Sequence, residues 1–198
     1  MQSAFDFYRD APERPKLPER LFFGVFPDAE TAARMAWCGG HFLREHDLDW
    51  ALLQTQRFHL SLHHAGDYKR LRGSRLYPAQ LAGAAVSAPA FEVTLLAIGS
   101  LDNLARAESG PYPLVMFAEG DGLSNLYRRL GAAMNRIGLK ASEDPSHSRP
   151  HMTLSYGPRL IPLQTIEPIR FTVREFVLVH SKLGLTQYEM LERWQLRG

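Results

Sequence analysis

The 198-residue sequence predicts an α+β protein built as a duplicated, bilobal unit: two mainly antiparallel sheets, with outer helices, around a central cleft. Three observations carry that expectation. Apolar runs of strand length alternate with a helical pattern in each half. The order strand, helix, strand recurs. Each second strand carries the tetrapeptide His-x-Ser/Thr-Leu, as His59-Leu60-Ser61-Leu62 and His151-Met152-Thr153-Leu154. Leu21 precedes His59 by 38 residues and Leu114 precedes His151 by 37. Chance would have to supply order, spacing and tetrapeptide together, so the repetition outweighs either motif alone.

The elements follow in order. Leu21 to Phe26 is an apolar, aromatic run of strand length that stops at Pro27. Asp28 is suited to cap a helix whose apolar residues Ala32, Met35 and Ala36 recur at helical spacing. Gly39-Gly40 weakens its second half, and its end is expected near His46. Gln54 to His63 alternates, with His59, Ser61 and His63 on one side and Phe58, Leu60 and Leu62 on the other. Gly66-Asp67 closes that strand and a basic loop runs to Arg75. Pro78 to Ala85 predicts a helix with proline in its first turn, and Phe91 to Ile98 a strand ended by Gly99.

In the second half, Leu114 to Ala118 is a strand, and Leu123, Leu126, Leu130 and Met134 form the apolar face of a helix that Gly138 stops. A polar loop, Lys140 to Arg149, leads into the strand of the second motif, and Phe171 to His180 and Tyr188 to Trp194 read as the last strands. Residues 1–19, with Pro12, Pro15 and Pro18, are expected to be a flexible extension. Residues 20–198 are expected to form one bilobal domain, with pseudo-repeats at about 20–101 and 113–184 and a C-terminal strand over 188–194.

Composition narrows the function classes. A single cysteine, Cys38, excludes a disulfide scaffold or a thiolate zinc module and suits a reducing, cytoplasmic compartment. No uninterrupted apolar run is long enough for a membrane span, so a soluble protein with no membrane partner is expected. The formal charge of +2 is far from that of a protein that coats a nucleic-acid backbone. Contact with nucleic acid should therefore be local. A monomer without a protein partner is expected, and no phosphate-cradling Gly-rich loop or acyl-hydrolase Gly-x-Ser-x-Gly is present.

Residues two apart on a strand share a face, so each motif presents an imidazole and a hydroxyl together while Leu60 and Met152 turn into the core. Two such strands across a cleft suit displacement at phosphorus, where attacking and leaving oxygens lie in line on opposite sides. His59 and His151 are the candidate catalytic pair. Histidine can take or give a proton near neutral pH, and acid–base catalysis contributes roughly 10²–10⁴-fold. Ser61 and Thr153 are the candidate phosphate-binding residues, and His63, Tyr156 and Arg149 are candidates for substrate contact. His59 with His63, and His147 with His151, stand at the four-residue spacing of helical metal ligands, but Pro150 precedes His151 and the alternation is that of a strand, so no metal and no cofactor is expected.

These segments, Arg-Leu-Phe-Phe at 20–23, Phe-His-Leu-Ser-Leu at 58–62 with Gly66-Asp67, Arg-Pro-His-Met-Thr-Leu at 149–154, and Phe176 to Leu183 with Tyr188 and Trp194, resemble the 2H phosphoesterase superfamily, specifically its bacterial RNA 2′,3′-cyclic phosphodiesterases, also called 2′-5′ RNA ligases. The resemblance implies a metal-free enzyme acting on RNA 3′ ends or small cyclic nucleotides. It implies opening of a 2′,3′-cyclic phosphate to a 2′-phosphate, with 2′-5′ ligation as the reverse reaction. It also implies His59 as the acid for the 3′ oxygen and His151 as the base for water. Residue types alone leave the acid and base unassigned. The chain departs from the pattern where relatives carry an arginine beyond the second motif, because Ser155 and Tyr156 stand there. Arg149, Arg159 and Lys182 are candidates to replace that guanidinium. The missing arginine also motivates an alternative reading, a nucleotide- or RNA-end-binding module with weak or no catalysis, and a further alternative is a 2H phosphoesterase for another cyclic phosphodiester substrate.

Overall fold

The computed structural model describes residues 18–101, 111–141, 149–185 and 187–197. The extension at 1–17, most of the polar loop before the second motif, and His147 lie outside them. The strands are β1 (Glu19–Val25), β2 (Leu60–Tyr68), β3 (Phe91–Ser100), β4 (Tyr112–Glu119), β5 (His151–Gly157), β6 (Gln164–Val173), β7 (Glu175–Lys182) and β8 (Gln187–Gln195). The helices are α1 (Ala29–Glu45), α2 (Gly73–Ala84) and α3 (Asp121–Arg136). The fold is α+β and antiparallel throughout, in the order β6-β3-β4-β5-β2-β1-β7-β8.

The two expected sheets are the two four-stranded halves of this order. They join at one residue pair, Leu60 opposite Met152, so the backbone forms a continuous eight-stranded sheet at its narrowest where the motifs meet. The pseudo-repeats do not coincide with the lobes. β3, which follows the first motif, crosses to pair with β4, and β7, which follows the second, crosses to pair with β1. Each lobe therefore takes a strand from each half of the sequence.

Local chemistry explains most boundaries. The Asp28 carboxylate accepts the Thr31 N–H at 2.7 Å and caps α1, which ends at His46 as expected. Gly39 does not break the helix, because its missing side chain is what lets α1 lie on the second-motif strand. A Cβ there would stand 3.0 Å from Leu154 Cδ1 and 3.3 Å from Leu52 Cδ2. Gly138, at φ +78°, follows α3 as the expected stop.

Four boundaries differ from expectation. A 3₁₀ turn over Thr55–Arg57 precedes the first motif, so β2 starts at Leu60 and runs on through Gly66 and Asp67. α2 starts at Gly73, which shortens the basic loop, puts Arg75 on the helix and leaves Pro78 inside it. β3 runs on through Gly99 to Ser100. The run Phe171 to His180 is broken at Arg174 into β6 and β7. β6 is an edge strand, where Pro168 costs no ladder bond to an outer neighbour.

The main core lies between one face of the sheet and the helices, and it spans both lobes: Phe23, Leu60, Leu95, Met116, Met152 and Leu178 belong to one cluster with Met35 and Leu126. A second, small cluster of Phe22, Val177 and Val179, with Phe26 and Tyr188 packed on it, lies apart from the first. It supports one wall of the site.

Candidate active site

A cavity of about 500 Å³ opens beside the junction of the two half-sheets. Arg20, Arg57, His59, Ser61, His64 and Thr153 supply its polar wall, and Phe22, Tyr156 and Tyr188 its aromatic one. No carboxylate is among the described residues lining it. The composition is that of an anion site: cations and hydroxyl donors in a partly enclosed space.

Both motifs are built alike, and more alike than the tetrapeptides predict. His59 Nδ1 lies 2.7 Å from the Arg57 carbonyl and His151 Nδ1 lies 3.0 Å from the Arg149 carbonyl. A carbonyl only accepts, so Nδ1 must carry the hydrogen in each neutral ring, and the Nε2 lone pair is the one that exchanges a proton. Each of these arginines also lies over an aromatic ring, Arg57 over Tyr188 at 5.0 Å and Arg149 over Phe117 at 4.4 Å. The repeating unit is thus Arg-x-His-x-Ser/Thr-Leu, and the arginine two places before each histidine is the signal that the tetrapeptide reading passes over.

The repeat extends one step further. The pairing of β1 with β2 slips by one residue after Ser61, and that of β4 with β5 slips at the matching place after Thr153. Each slip is a bulge, and a bulge reverses the inside–outside alternation beyond it. The residue after the motif is consequently buried in both lobes. His63 is 2% exposed, stacks on Tyr127 at 3.9 Å and has Nε2 2.8 Å from the Tyr127 carbonyl. Ser155 is fully buried and donates to the Ala51 carbonyl at 2.8 Å. The next residues, His64 and Tyr156, are the ones turned outward.

These facts sort the sequence candidates. Ser61, Thr153 and Tyr156 line the cavity together with His59. His151 begins the strand two residues before Thr153; it is not among the residues that line the cavity, yet it lies close enough to act electrostatically on His59. His63 also borders the cavity, but strict alternation would give it the face of Ser61, whereas the bulge directs its imidazole to α3 and His64 takes the outward place. Arg149 is not among the residues that line this cavity. Its guanidinium belongs to a neighbouring cavity on the second lobe, lined also by Glu92, Glu119 and Asp121.

Burial in an aromatic box sets the electrostatics of His59. Phe22, Phe26 and Tyr188 ring centroids lie 5.0, 5.5 and 5.5 Å from its own. Desolvation pulls its pKa down to about 4, the charges of Arg57 and His151 pull the same way, and the bond to the Arg57 carbonyl opposes them. His59 is therefore neutral at pH 7 in the empty cavity. On the rim, Arg20 holds Asp67 through two bonds of 2.8 and 2.9 Å, and Asp67 also meets His64 Nε2 at 3.0 Å. Those bonds, Arg20's first, hold the Asp67 carboxyl far below the usual carboxylate range. Among the described residues, no group of three His, Cys, Asp or Glu side chains is arranged to hold a metal, and no helix is long and apolar enough to cross a membrane.

Neither a protein-family model nor a curated protein matches the sequence. Solved structures do match. E. coli LigT in apo form is 26% identical, with 92% of this chain and 99% of that one covered and a TM-score of 0.66. E. coli LigT complexed with 3′-AMP is also 26% identical, with 91% and 99% covered at a TM-score of 0.64. TT0787 of Thermus thermophilus shares the fold at a TM-score of 0.69, with 24% identity and 90% and 98% covered. With this antiparallel fold, two His-x-Ser/Thr motifs meeting at its centre, and LigT superposed over nearly the whole of both chains, the protein has the fold of the LigT-like 2H phosphoesterases and resembles them in its paired motifs.

Proposed function

We propose that this phosphoesterase opens RNA 2′,3′-cyclic phosphate ends to 2′-phosphate ends, with 2′-5′ ligation as the reverse reaction. The carrying observation is the cavity itself, which has imidazoles, hydroxyls and guanidinium groups on its polar wall and no carboxylate among its described lining residues. Solved LigT complexes with 3′-AMP and with phosphate make a nucleotide end a fitting occupant.

In this reading a water oxygen bonds to phosphorus and the P–O3′ bond breaks. His151 takes the proton of the water. His59 gives a proton to the departing 3′ oxygen. Neutral when the cavity is empty, His59 gains its proton as the anionic phosphate arrives, because a negative charge beside a buried imidazole raises its pKa. Ser61 and Thr153 donate to the non-bridging oxygens as charge builds there. Phe22, Tyr156 and Tyr188 offer faces for a base.

Two imidazoles complete this cycle without a metal. Hydrolysis of cytidine 2′,3′-cyclic phosphate in EDTA, with phosphorus NMR of the product, tests the reading. A 2′-phosphate alone is expected. A 3′-phosphate, or nucleotide binding without turnover, contradicts it.

A further inference from the structure

No arginine follows the second motif, where Ser155 and Tyr156 stand, yet a singly charged phosphate between two histidines calls for a fixed cation. We propose that Arg57 is that cation, gripping the non-bridging phosphate oxygens from the first-motif side. The inference rests on the reading of the cavity as a phosphodiester site.

Four facts converge on Arg57. It lines the same cavity as His59, Ser61 and Thr153. Its guanidinium is held in place over the Tyr188 ring, and Tyr188 in turn packs edge-on against His59 at 5.5 Å. Its Nε is buried without a hydrogen-bond partner among the described residues. Finally, its backbone carbonyl fixes the His59 ring at 2.7 Å, so cation and imidazole are tied to one short turn of chain.

Three other arginines are engaged elsewhere. Arg20 spends its fork on Asp67 through two bonds, and Asp67 neutralises it. Arg149 faces the cavity that Glu92, Glu119 and Asp121 line. Arg159 bonds the His46 carbonyl at 3.4 Å. A buried donor with no partner is costly to keep, and an anion is the occupant that offsets the cost with a charge-assisted bond. The pseudo-repeat thus has one arginine per motif but uses them differently: Arg57 faces the anion, whereas Arg149 sits among carboxylates.

Titration with inorganic phosphate, followed by phosphorus NMR and by the His59 imidazole resonances, tests this without turnover. In Arg57→Met, phosphate affinity is expected to fall roughly 10- to 100-fold, the range of one charge-assisted hydrogen bond. The His59 pKa is expected to rise as well, because a neighbouring positive charge is gone. Arg57→Lys keeps the charge without the fork and is expected to restore the His59 pKa but only part of the affinity. Unchanged phosphate affinity in Arg57→Met overturns the inference, as does a wild-type protein that binds no phosphate. Arg57-dependent phosphate binding in a protein that leaves cyclic phosphates intact upholds the inference and removes the proposed reaction instead.

Discussion

At the scale of single residues, the site depends on groups whose protons are set by what surrounds them. The aromatic box around His59 lowers its pKa to about 4, against about 6.5 in an unfolded chain. Because the folded form resists protonation, the unfolded chain takes up protons first as pH falls. Stability is therefore intact above about pH 6.5 and declines from there down to about pH 4. Glu19, Asp28 and Asp67, whose pKa values are also lowered, lose their contribution only as pH falls through the ordinary carboxylate range and below it, so the interval from about pH 6.5 to about 5.5 reports on the histidine. Urea midpoints at those two pH values should fall less in His59→Gln than in wild type; an equal fall would mean that the box does not depress the imidazole. Ser61→Ala and Thr153→Ala each remove one proposed donor to the phosphate. Each should cost roughly 10- to 100-fold in kcat, with an unchanged melting temperature.

The elements show why some of this is legible in sequence and some is not. The motif strands, the Asp28 cap and the Gly138 stop are readable because period, cap and stop act locally. The direction of His63 is not legible because strict alternation carries His59, Ser61 and His63 to one face, whereas the bulge after Ser61 reverses the order. A bulge leaves no mark in apolar periodicity. Its repetition after Thr153, burying Ser155, shows that it belongs to the unit rather than to one strand. The duplicated arginines before the histidines are visible in the sequence; their use is not, since it depends on which aromatic ring each one meets. The approach of β1 to His59 is equally tight. A Cβ on Gly24 would lie 3.1 Å from the Leu60 carbonyl and 3.6 Å from His59 Cδ2. Gly24→Val should therefore displace the imidazole and lower kcat far more than it raises KM, which steady-state kinetics would show.

For the whole molecule, the duplicated α+β plan is legible in the sequence but the partners of its strands are not. Pairing is non-local: β3 and β7 each leave the half that encodes them and join the other lobe. This exchange, with a main core continuous across both lobes, ties the halves into one unit. Unfolding of residues 20–198 should accordingly be a single cooperative transition, coincident by tryptophan fluorescence and circular dichroism. Met152 is fully buried where the half-sheets join, so a cavity there loosens the narrowest part of the sheet. Met152→Ala should cost about 2–5 kcal/mol, seen as a lower urea midpoint with one transition retained. Two separated transitions would show that the lobes fold independently.

The proposed reaction turns on the two histidines acting as a pair. The most direct measurement is turnover of an oligoribonucleotide ending in a 2′,3′-cyclic phosphate, in EDTA, by wild type, His59→Ala and His151→Ala, with circular dichroism to confirm the fold of each. The account predicts turnover by wild type to the 2′-phosphate and a loss of at least about 10²-fold in each variant, the lower end for a missing general acid or base. Near wild-type rates in either folded variant would contradict it.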